Sequence, residues 1–405
     1  MEVKRQDRRR LLRFCKTMIH GCFGNAVAGH QRCLAMSAIL LLAGLATLFV
    51  AKYAMRVTPY FAYITAAYFC VYVGVAWLLY RQRLRLFKSK VLFWFALAAM
   101  VVAMLVVQYH FDPYQLRVDR WSALHYPIQN LLRGEYPYLA HTHLGGSASP
   151  FPVWQLFHIP FYLLGNVGLS EMFTFLLFIL SVYFRFGVRP AFLALLLCFL
   201  TVNIWYEVAV RSDMISNFFL LAAFVNLLFL RNIRFECCPV LLSFIAGLWC
   251  STRLHTAFPL FILFFPAWLS LSWQKKSATV LVALLTLMAT FVPLMIWDAH
   301  TLFFHEYSPL VLQTRQGHTL DPLLMLLFAL VFGTAWRGNE CRYHLLAGLS
   351  LLLVPLITYG HTMLISEVPL HIFDSWCDIT YLDAAIPFLI MSLCAIHSSG
   401  TCAAR

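Results

Sequence analysis

Long apolar runs recur along almost the whole chain and limit what it can fold into. A helix crosses the hydrocarbon core of a bilayer with about 20 mainly apolar residues. Only 12% of the 405 residues are charged and 61% are hydrophobic, whereas an ordinary soluble domain has about 25% charged residues. This pattern excludes a soluble enzyme, a disordered chain and a coiled coil. The runs lie at about 34–52, 58–80, 91–109, 170–185, 190–207, 215–230, 239–252, 256–272, 278–297, 322–336, 344–360 and 381–396.

These runs predict an all-α, polytopic bundle of about 12 transmembrane helices. The positions of the basic residues predict its orientation. If residues 1–33 are cytoplasmic and the spans alternate, most of the 30 lysines and arginines fall on the inner side, as the positive-inside rule requires. Both termini are then cytoplasmic. We therefore predict a basic cytoplasmic segment over 1–33, suited to contact with anionic membrane lipids, and a single integral membrane domain over 34–405.

The rule also accounts for the net charge of +13, so we do not expect nucleic acid as a partner. The 12 cysteines show neither CxxC nor zinc-site spacing, and we expect no disulfide framework. Three longer outer loops are predicted at about 110–169, 298–321 and 361–380. Most of the 17 acidic residues fall on this outer side. Because the positive-inside rule does not explain that excess, we expect the working face of the protein to be the outer one.

The first outer loop is predicted to contain two short helices. Apolar side chains recur at helical spacing from Trp121 to Leu132, and Gly134 then ends the helix. Residues 153–164 are apolar but too short to span comfortably. We therefore expect them to lie in the membrane interface, with Trp154, His158 and Tyr162 at the level of the lipid headgroups.

Asp119 directly precedes the first of these helices, between two arginines. One interpretation is structural, as a helix N-cap or a partner in a surface ion pair. The other is catalytic, since a carboxylate at the boundary of membrane and water can accept a proton from an incoming hydroxyl. Asp112 is followed by a proline and is more typical of a turn.

Glu207, Arg211 and Asp213 mark the outer junction of two apolar runs. Glu207 and Arg211 are four residues apart and could share a helix face. Charges this close to hydrocarbon are costly unless they are paired or face a wet cavity. The group is therefore either a structural ion-pair cluster or an anion site, in which Arg211 meets a phosphate and Asp213 orients it or binds a metal.

Arg253 and His255 lie at another outer junction, and Arg315 lies in the second outer loop. Alone, each is typical of an interfacial anchor. Together with Arg211, the two arginines would provide three phosphate contacts.

Histidines and carboxylates in the second and third loops raise the question of a metal site. Neither HExxH nor another fixed ligand spacing occurs there, so we predict no metal and no cofactor, although a divalent metal is chemically conceivable. His361 and Asp383 belong to the third loop and the start of the last run. We expect Asp383 to take a partner such as Arg253 or Arg315.

The first outer loop resembles that of the GT-C superfamily of integral membrane glycosyltransferases. The resemblance rests on Asp119, on the run Leu131-Leu132-Arg133-Gly134-Glu135-Tyr136-Pro137-Tyr138, and on Pro150-Phe151-Pro152-Val153-Trp154 with Pro160 beyond it. It covers about 110–165 and is similar to the polyprenyl-phosphate-mannose-dependent mannosyltransferases and related bacterial membrane proteins.

The resemblance implies a GT-C-like bundle in a bacterial inner (plasma) membrane, with its active site on the periplasmic face. It implies transfer of a sugar, mannose in that branch, from a polyprenyl-phosphate donor to an envelope glycan or glycolipid acceptor. Asp119 would be the catalytic base. Arg211, Arg253 and Arg315 would bind the donor phosphate, and the supporting polar residues would be Asp112, Glu207, Asp213, His255, His361 and Asp383.

Two other classes stay open. Twelve spans also suit a secondary transporter or a flippase for lipid-linked sugars. Such proteins place ionisable residues near the middle of the bilayer, whereas the apolar runs here are almost free of charge. A non-catalytic assembly or scaffold protein is the third class, and it would tolerate substitution of Asp119.

Overall fold

The chain folds into an all-α bundle. A computed structural model describes residues 29, 31–81, 85–305, 308–314, 317–336, 338–366, 372–373 and 377–402. The structure is 80% helical, and these ranges contain no β-strand. The predicted all-α class is therefore confirmed. Most of the predicted cytoplasmic segment, 1–33, lies outside the described residues.

Sixteen α-helices follow one another within the described ranges. They are α1 (Gln31–Ala54), α2 (Phe61–Arg81), α3 (Lys90–His110), α4 (Ser122–Arg133), α5 (Pro152–Leu163), α6 (Leu169–Phe186), α7 (Val188–Leu200), α8 (Val202–Val210), α9 (Met214–Leu230), α10 (Pro239–Cys250), α11 (Ala257–Leu269), α12 (Trp273–Phe303), α13 (Pro309–Thr314), α14 (Asp321–Ala335), α15 (Glu340–Ser366) and α16 (Ile386–Cys402). Single 3₁₀ turns occur at Arg85–Lys88, Pro137–Leu139, Leu254–Thr256 and Ile379–Ala385.

Every predicted apolar run coincides with a helix, but the helices differ in their ability to cross a membrane. Seven in the described part of the chain are long and apolar enough: α1, α2, α3, α6, α12, α15 and the stretch Ile379–Ser398. Helices α7 and α8 would add an eighth span if they act as one, although they meet at a bend of 68°. Helices α9, α10, α11 and α14 are apolar but shorter. The structure thus supports a polytopic membrane protein, and a count of twelve spans stays a prediction.

The last apolar stretch lies at the centre of the bundle. Ile379–Ser398 is 94% buried, whereas the corresponding stretch of Phe61–Arg81 is only 11% buried. A helix that is apolar on all sides can be enclosed by other helices, and α16 packs against α6, α7, α9 and α15. The peripheral helix α2 instead leaves large apolar side chains such as Tyr63 and Leu78 exposed, as a lipid-facing surface would.

Glycines permit two close helix contacts. A Cβ atom added to Gly247 of α10 would lie 2.5 Å from the Ala283 carbonyl oxygen of α12. A Cβ atom at Gly348 of α15 would lie 2.9 Å from the Leu389 Cδ2 of α16. Small residues at such points allow helix backbones to approach closely. Inside a bilayer the hydrophobic driving force between helices is weak, so the dispersion contacts of this close packing stabilise the helix pairs instead.

The predicted helices of the first outer loop are both present. Helix α4 ends at Gly134, whose φ of 76° is the left-handed conformation that glycine adopts readily. The expected depth of α5 at the lipid headgroups stays a prediction, but two of its side chains, Trp154 and His158, are enclosed by protein, with exposures of 1% and 0%. They face the protein interior. An apolar face turned toward lipid and one turned toward protein look alike in a linear sequence.

Two other predicted loops are partly helical. Helix α12 continues to Phe303, but its backbone leaves the helical conformation at Asp298 (φ −153°, ψ 88°). Helix α15 continues to Ser366, so His361 lies on a helix rather than in a loop.

Candidate functional site

The loop after α4 folds back over the carboxylate of Asp119. The Thr142 hydroxyl donates to Asp119 Oδ2 at 2.9 Å, and the Gly146 amide donates to the Thr142 hydroxyl oxygen at 2.8 Å. A Cβ atom at Gly146 would lie 2.5 Å from Asp119 Oδ2, so the backbone can come this close only with glycine. Asp119 is half-buried, and among the described residues only Thr142 binds its carboxylate.

Neither structural alternative for the Asp119 carboxylate is found in the described part of the chain. Trp121 is the N-cap of α4 and makes no side-chain cap. Asp119 contributes only its backbone oxygen, which accepts from the Ala123 amide at 2.9 Å and from the Ser122 hydroxyl at 3.1 Å. The neighbouring Arg120 pairs with Asp378 instead. Asp112 is exposed and accepts from the Tyr114 amide at 3.0 Å, as predicted for a turn residue.

Arg120 connects the first outer loop to the turn before α16. Its guanidinium forms an ion pair with Asp378, donates to the Thr380 hydroxyl at 3.1 Å and lies 6.0 Å from the centre of the Tyr381 ring. The sequence prediction did not include Arg120. Its position beside Asp119 was the available signal, but its partners are about 260 residues away.

Asp213 and Arg253 form a buried ion pair. Their side chains are 4% and 3% exposed. Arg253 Nε lies 3.1 Å from Asp213 Oδ2, and the Trp154 indole donates to the same oxygen at 2.8 Å. Burial acts to raise the pKa of the Asp213 carboxyl, but the Arg253 guanidinium outweighs burial and holds the pKa below its usual value.

His158 lies beside this pair. Its Nδ1 donates to the Trp154 carbonyl oxygen at 2.8 Å, and its Nε2 is buried without a hydrogen-bond partner among the described residues. Burial lowers the pKa of His158 to about 4, so the imidazole is neutral near pH 7. The His158 ring therefore adds no positive charge next to Asp213 and Arg253.

Glu207 and Asp383 are fully buried. Asp383 Oδ1 accepts from the Asn203 amide nitrogen at 2.6 Å. Among the described residues, Asp383 therefore has no ion pair with Arg253 or with another arginine. The Glu207 carboxylate has no hydrogen bond of good geometry within the described residues, and the groups that stabilise its charged form are the Arg120 guanidinium, the Ser212 hydroxyl and the Ile215 backbone amide. These carboxylates carry a cost in an apolar bundle that no full ion pair offsets.

Arg211 faces a different part of the bundle. Helix α8 ends at Val210, and Arg211 adopts the left-handed conformation (φ 53°). The expected pairing of Arg211 with Glu207 on one helix face is therefore not formed. Arg211 donates to the Gln108 carbonyl oxygen at 2.8 Å, and the Gln108 side chain donates to Glu171 at 2.9 Å.

A cavity of about 590 Å³ opens between α11, α13, α14 and α15. Its wall is mainly apolar and includes Phe258, Met325 and Val354. Its lining also includes the polar residues His255, Gln313, His318, Asp321 and Tyr381, which we call the cavity edge. The His255 and Tyr381 rings lie 5.7 Å apart, centre to centre.

The structure thus brings together some of the predicted site residues and separates others. Arg253 meets Asp213, and Glu207 and Asp383 lie in the electrostatic neighbourhood of Arg120. Arg211 is engaged elsewhere, and Arg315 lies outside the described residues. The convergence of three arginines on one phosphate stays a prediction.

His255 borders the cavity, and His361 contacts Asp321 at the cavity edge, with its Nδ1 3.0 Å from Asp321 Oδ1. Comparison of the chain with protein-family models, with curated proteins and with solved structures finds no match.

Proposed function

We propose that this protein is a membrane glycosyltransferase that moves a sugar, mannose or a related hexose, from a polyprenyl-phosphate donor to an envelope glycan or glycolipid acceptor on the outer face. The observation that carries the proposal is the cavity of about 590 Å³, whose lining residues contact the loop that holds Asp119. Arg120 links the two, because it follows Asp119 in the chain and its guanidinium lies 6.0 Å from the Tyr381 ring at the cavity edge.

The cavity has the polarity that a lipid-linked sugar requires. Its apolar wall suits a polyprenyl chain, and its edge, with His255, Gln313 and Tyr381, suits a phosphate and a sugar. Ligand sites commonly combine an apolar lining with a few polar groups that fix orientation. The Gln313 amide nitrogen donates to the Ser149 carbonyl oxygen at 2.8 Å, so the first outer loop borders this edge as well.

Asp119 has the features of a general base. The carboxylate is half-buried and is oriented by the Thr142 hydroxyl through Oδ2. Its second oxygen has no hydrogen-bond partner among the described residues and can accept a proton from an acceptor hydroxyl as that hydroxyl attacks the sugar. A positioned base contributes about 10²–10⁴-fold to a rate.

The leaving phosphate gains negative charge as the bond to the sugar breaks, and nearby cations stabilise it. Arg211, Arg253 and Arg315 were predicted for this role. The charge of Arg253 is already balanced by Asp213, so Arg253 would mainly help to position the phosphate. Arg120 is paired with Asp378 and lies 6.0 Å from the ring of Tyr381, which lines the cavity, and we include it among the donor-phosphate residues of the proposal.

A transporter or flippase is the second candidate, and a specific observation favours it. Glu171, Glu207 and Asp383 are carboxylates buried within apolar helices, and α7 and α8 form a helix pair broken by 68°. Ionisable residues and discontinuous helices of this kind are typical of transport pathways.

One experiment separates the two candidates. The full-length protein is reconstituted in liposomes with a radiolabelled polyprenyl-phosphate sugar and an envelope extract as acceptor, and both sugar transfer and donor movement between leaflets are measured. Transfer to the acceptor supports the proposal. Movement of the donor without transfer, across a panel of donor sugars, would overturn it in favour of a flippase.

A further inference from the structure

Three potential metal ligands from two distant parts of the chain meet at the edge of the cavity. Asp321 begins α14, His318 lies three residues before it, and His361 lies on α15. One ligand atom from each residue lies within 4.8 Å of the others. The His318 and His361 rings are 4.1 Å apart, centre to centre. We propose that His318, Asp321 and His361 form a binding site for a divalent transition metal, with Zn²⁺ as the best fit.

The ligand types select this class of metal. Two imidazoles with one carboxylate suit Zn²⁺ and related ions, whereas Mg²⁺ and Ca²⁺ prefer all-oxygen sites. Zinc–nitrogen and zinc–oxygen bonds of about 2.0–2.2 Å place tetrahedral ligands roughly 3.3–3.5 Å apart. The three ligand atoms lie within 4.8 Å of one another, and His361 Nδ1 is 3.0 Å from Asp321 Oδ1, so modest side-chain rotation would close the site around an ion.

Burial gives the site a preorganised anion. Asp321 is 1% exposed, whereas His361 is 31% exposed. One oxygen of Asp321 contacts His361 Nδ1 at 3.0 Å, and the other accepts from the His318 backbone amide at 2.8 Å. A buried carboxylate is normally paired or bound to a metal. Within the described residues, Asp321 has only the His361 ring and one backbone amide as hydrogen-bond partners.

Thr362 selects the nitrogen of His318 that can bind the ion. Its hydroxyl donates to the Thr358 carbonyl oxygen at 2.9 Å, so its oxygen accepts from His318 Nε2 at 3.1 Å. The proton of a neutral His318 is then on Nε2, and the lone pair is on Nδ1. Metal-binding histidines commonly donate their other nitrogen to such a partner, which fixes the ring.

Three protein ligands leave a zinc ion with an open position. Because His318 and Asp321 both line the cavity, that position would face it and would accept a phosphate oxygen or a water. The binding inference does not rest on the proposed sugar transfer.

The test uses the full-length protein in detergent, purified through a tag without histidine and stripped with a chelator. Zn²⁺ binding is measured by calorimetry, and Co²⁺ binding by its visible absorption. The variants are His361→Ala, Asp321→Asn and Thr362→Val. The control is His300→Ala, because His300 is an exposed histidine of the same outer region outside the cluster.

We expect one ion per wild-type chain and the same affinity for His300→Ala. His361→Ala and Asp321→Asn should lose binding. Thr362→Val retains all three ligands and should weaken binding about 10–100-fold, the usual effect of removing a group that orients a ligand. Thr362→Val also tests the inference if one of the ligand variants misfolds. The inference would be overturned if the wild type does not bind Zn²⁺. It would also be overturned if Thr362→Val and His361→Ala both bind Zn²⁺ as tightly as the wild type.

Discussion

The ion pair between Asp213 and Arg253 gives the most quantitative prediction about the packing of the site. Both side chains are less than 5% exposed. Replacing Arg253 with leucine removes one charge and leaves the Asp213 carboxylate buried, with the Trp154 indole as its remaining described hydrogen-bond donor. Removing one partner of a buried pair costs about 3–5 kcal/mol, whereas an exposed pair is worth about 0–1 kcal/mol.

The assay is the free energy of unfolding in mixed micelles for the wild type, Arg253→Leu, Asp213→Asn and the double variant. We expect Arg253→Leu to lose about 3–5 kcal/mol. The double variant should recover much of that loss, because asparagine keeps an oxygen for the Trp154 indole but carries no charge. A loss below about 1 kcal/mol for Arg253→Leu, or strictly additive effects in the double variant, would refute the argument.

The same pair predicts an opposite pH dependence in the wild type and in the variant. In the wild type the pKa of Asp213 is lowered. The pair therefore stabilises the fold above about pH 3.9, the usual value for aspartate, and the contribution is lost as the pH falls through the lowered pKa. In Arg253→Leu the main group that lowers the pKa of Asp213 is gone, and burial, which raises that pKa, has the larger effect. The stability deficit of the variant should then shrink on acidification.

Three further predictions follow from single contacts. Gly247→Ala should cost about 1–3 kcal/mol of unfolding free energy by overpacking, since its Cβ would meet a carbonyl oxygen at 2.5 Å, whereas Gly74→Ala, with open space around it, should not destabilise the protein. Thermal unfolding compares the two variants, and equal melting temperatures would contradict this prediction. The pKa of His158 is lowered to about 4, so the folded state binds fewer protons than the unfolded state between about pH 6.5 and about pH 4. As the pH is lowered through that window, the stability of the wild type should fall, and that of His158→Gln should fall less steeply. Parallel melting profiles of the two proteins would count against this prediction. Gly146→Ala should reduce the rate of sugar transfer with little loss of stability, because the new Cβ would displace the carboxylate of Asp119; an unchanged initial rate would argue against that arrangement.

Local features of the fold could be predicted from the sequence. Every apolar run is helical, since hydropathy is averaged over neighbouring residues, but the bend of 68° that divides the run at 190–207 into α7 and α8 was not predicted. Gly134 marks the end of α4 because a left-handed C-terminal residue favours glycine. The number of membrane spans could not be predicted in the same way. Helices such as α9 and α10 are apolar but short, and burial in protein selects the same side chains as burial in lipid.

The site could be predicted only in part, because its contacts join distant parts of the chain. The sequence indicated that Asp213 and Arg253 are important, but not that they pair with each other across 40 residues. It placed His361 in a loop, whereas the residue lies on α15 and contacts Asp321. The spacing between His318 and His361 fits no metal motif, so only the fold reveals that they are neighbours.

The central claim is that Asp119 serves sugar transfer from a lipid phosphate. The most direct test is the initial rate of transfer in liposomes for the wild type and Asp119→Asn, with Glu135→Gln as the control, since Glu135 is an exposed carboxylate of the same loop. We predict that Asp119→Asn lowers the rate about 10²–10⁴-fold with an unchanged size-exclusion profile, while Glu135→Gln transfers like the wild type. Equal rates for Asp119→Asn and the wild type would contradict the assigned base, and no transfer by the wild type from any donor would contradict the proposed function itself.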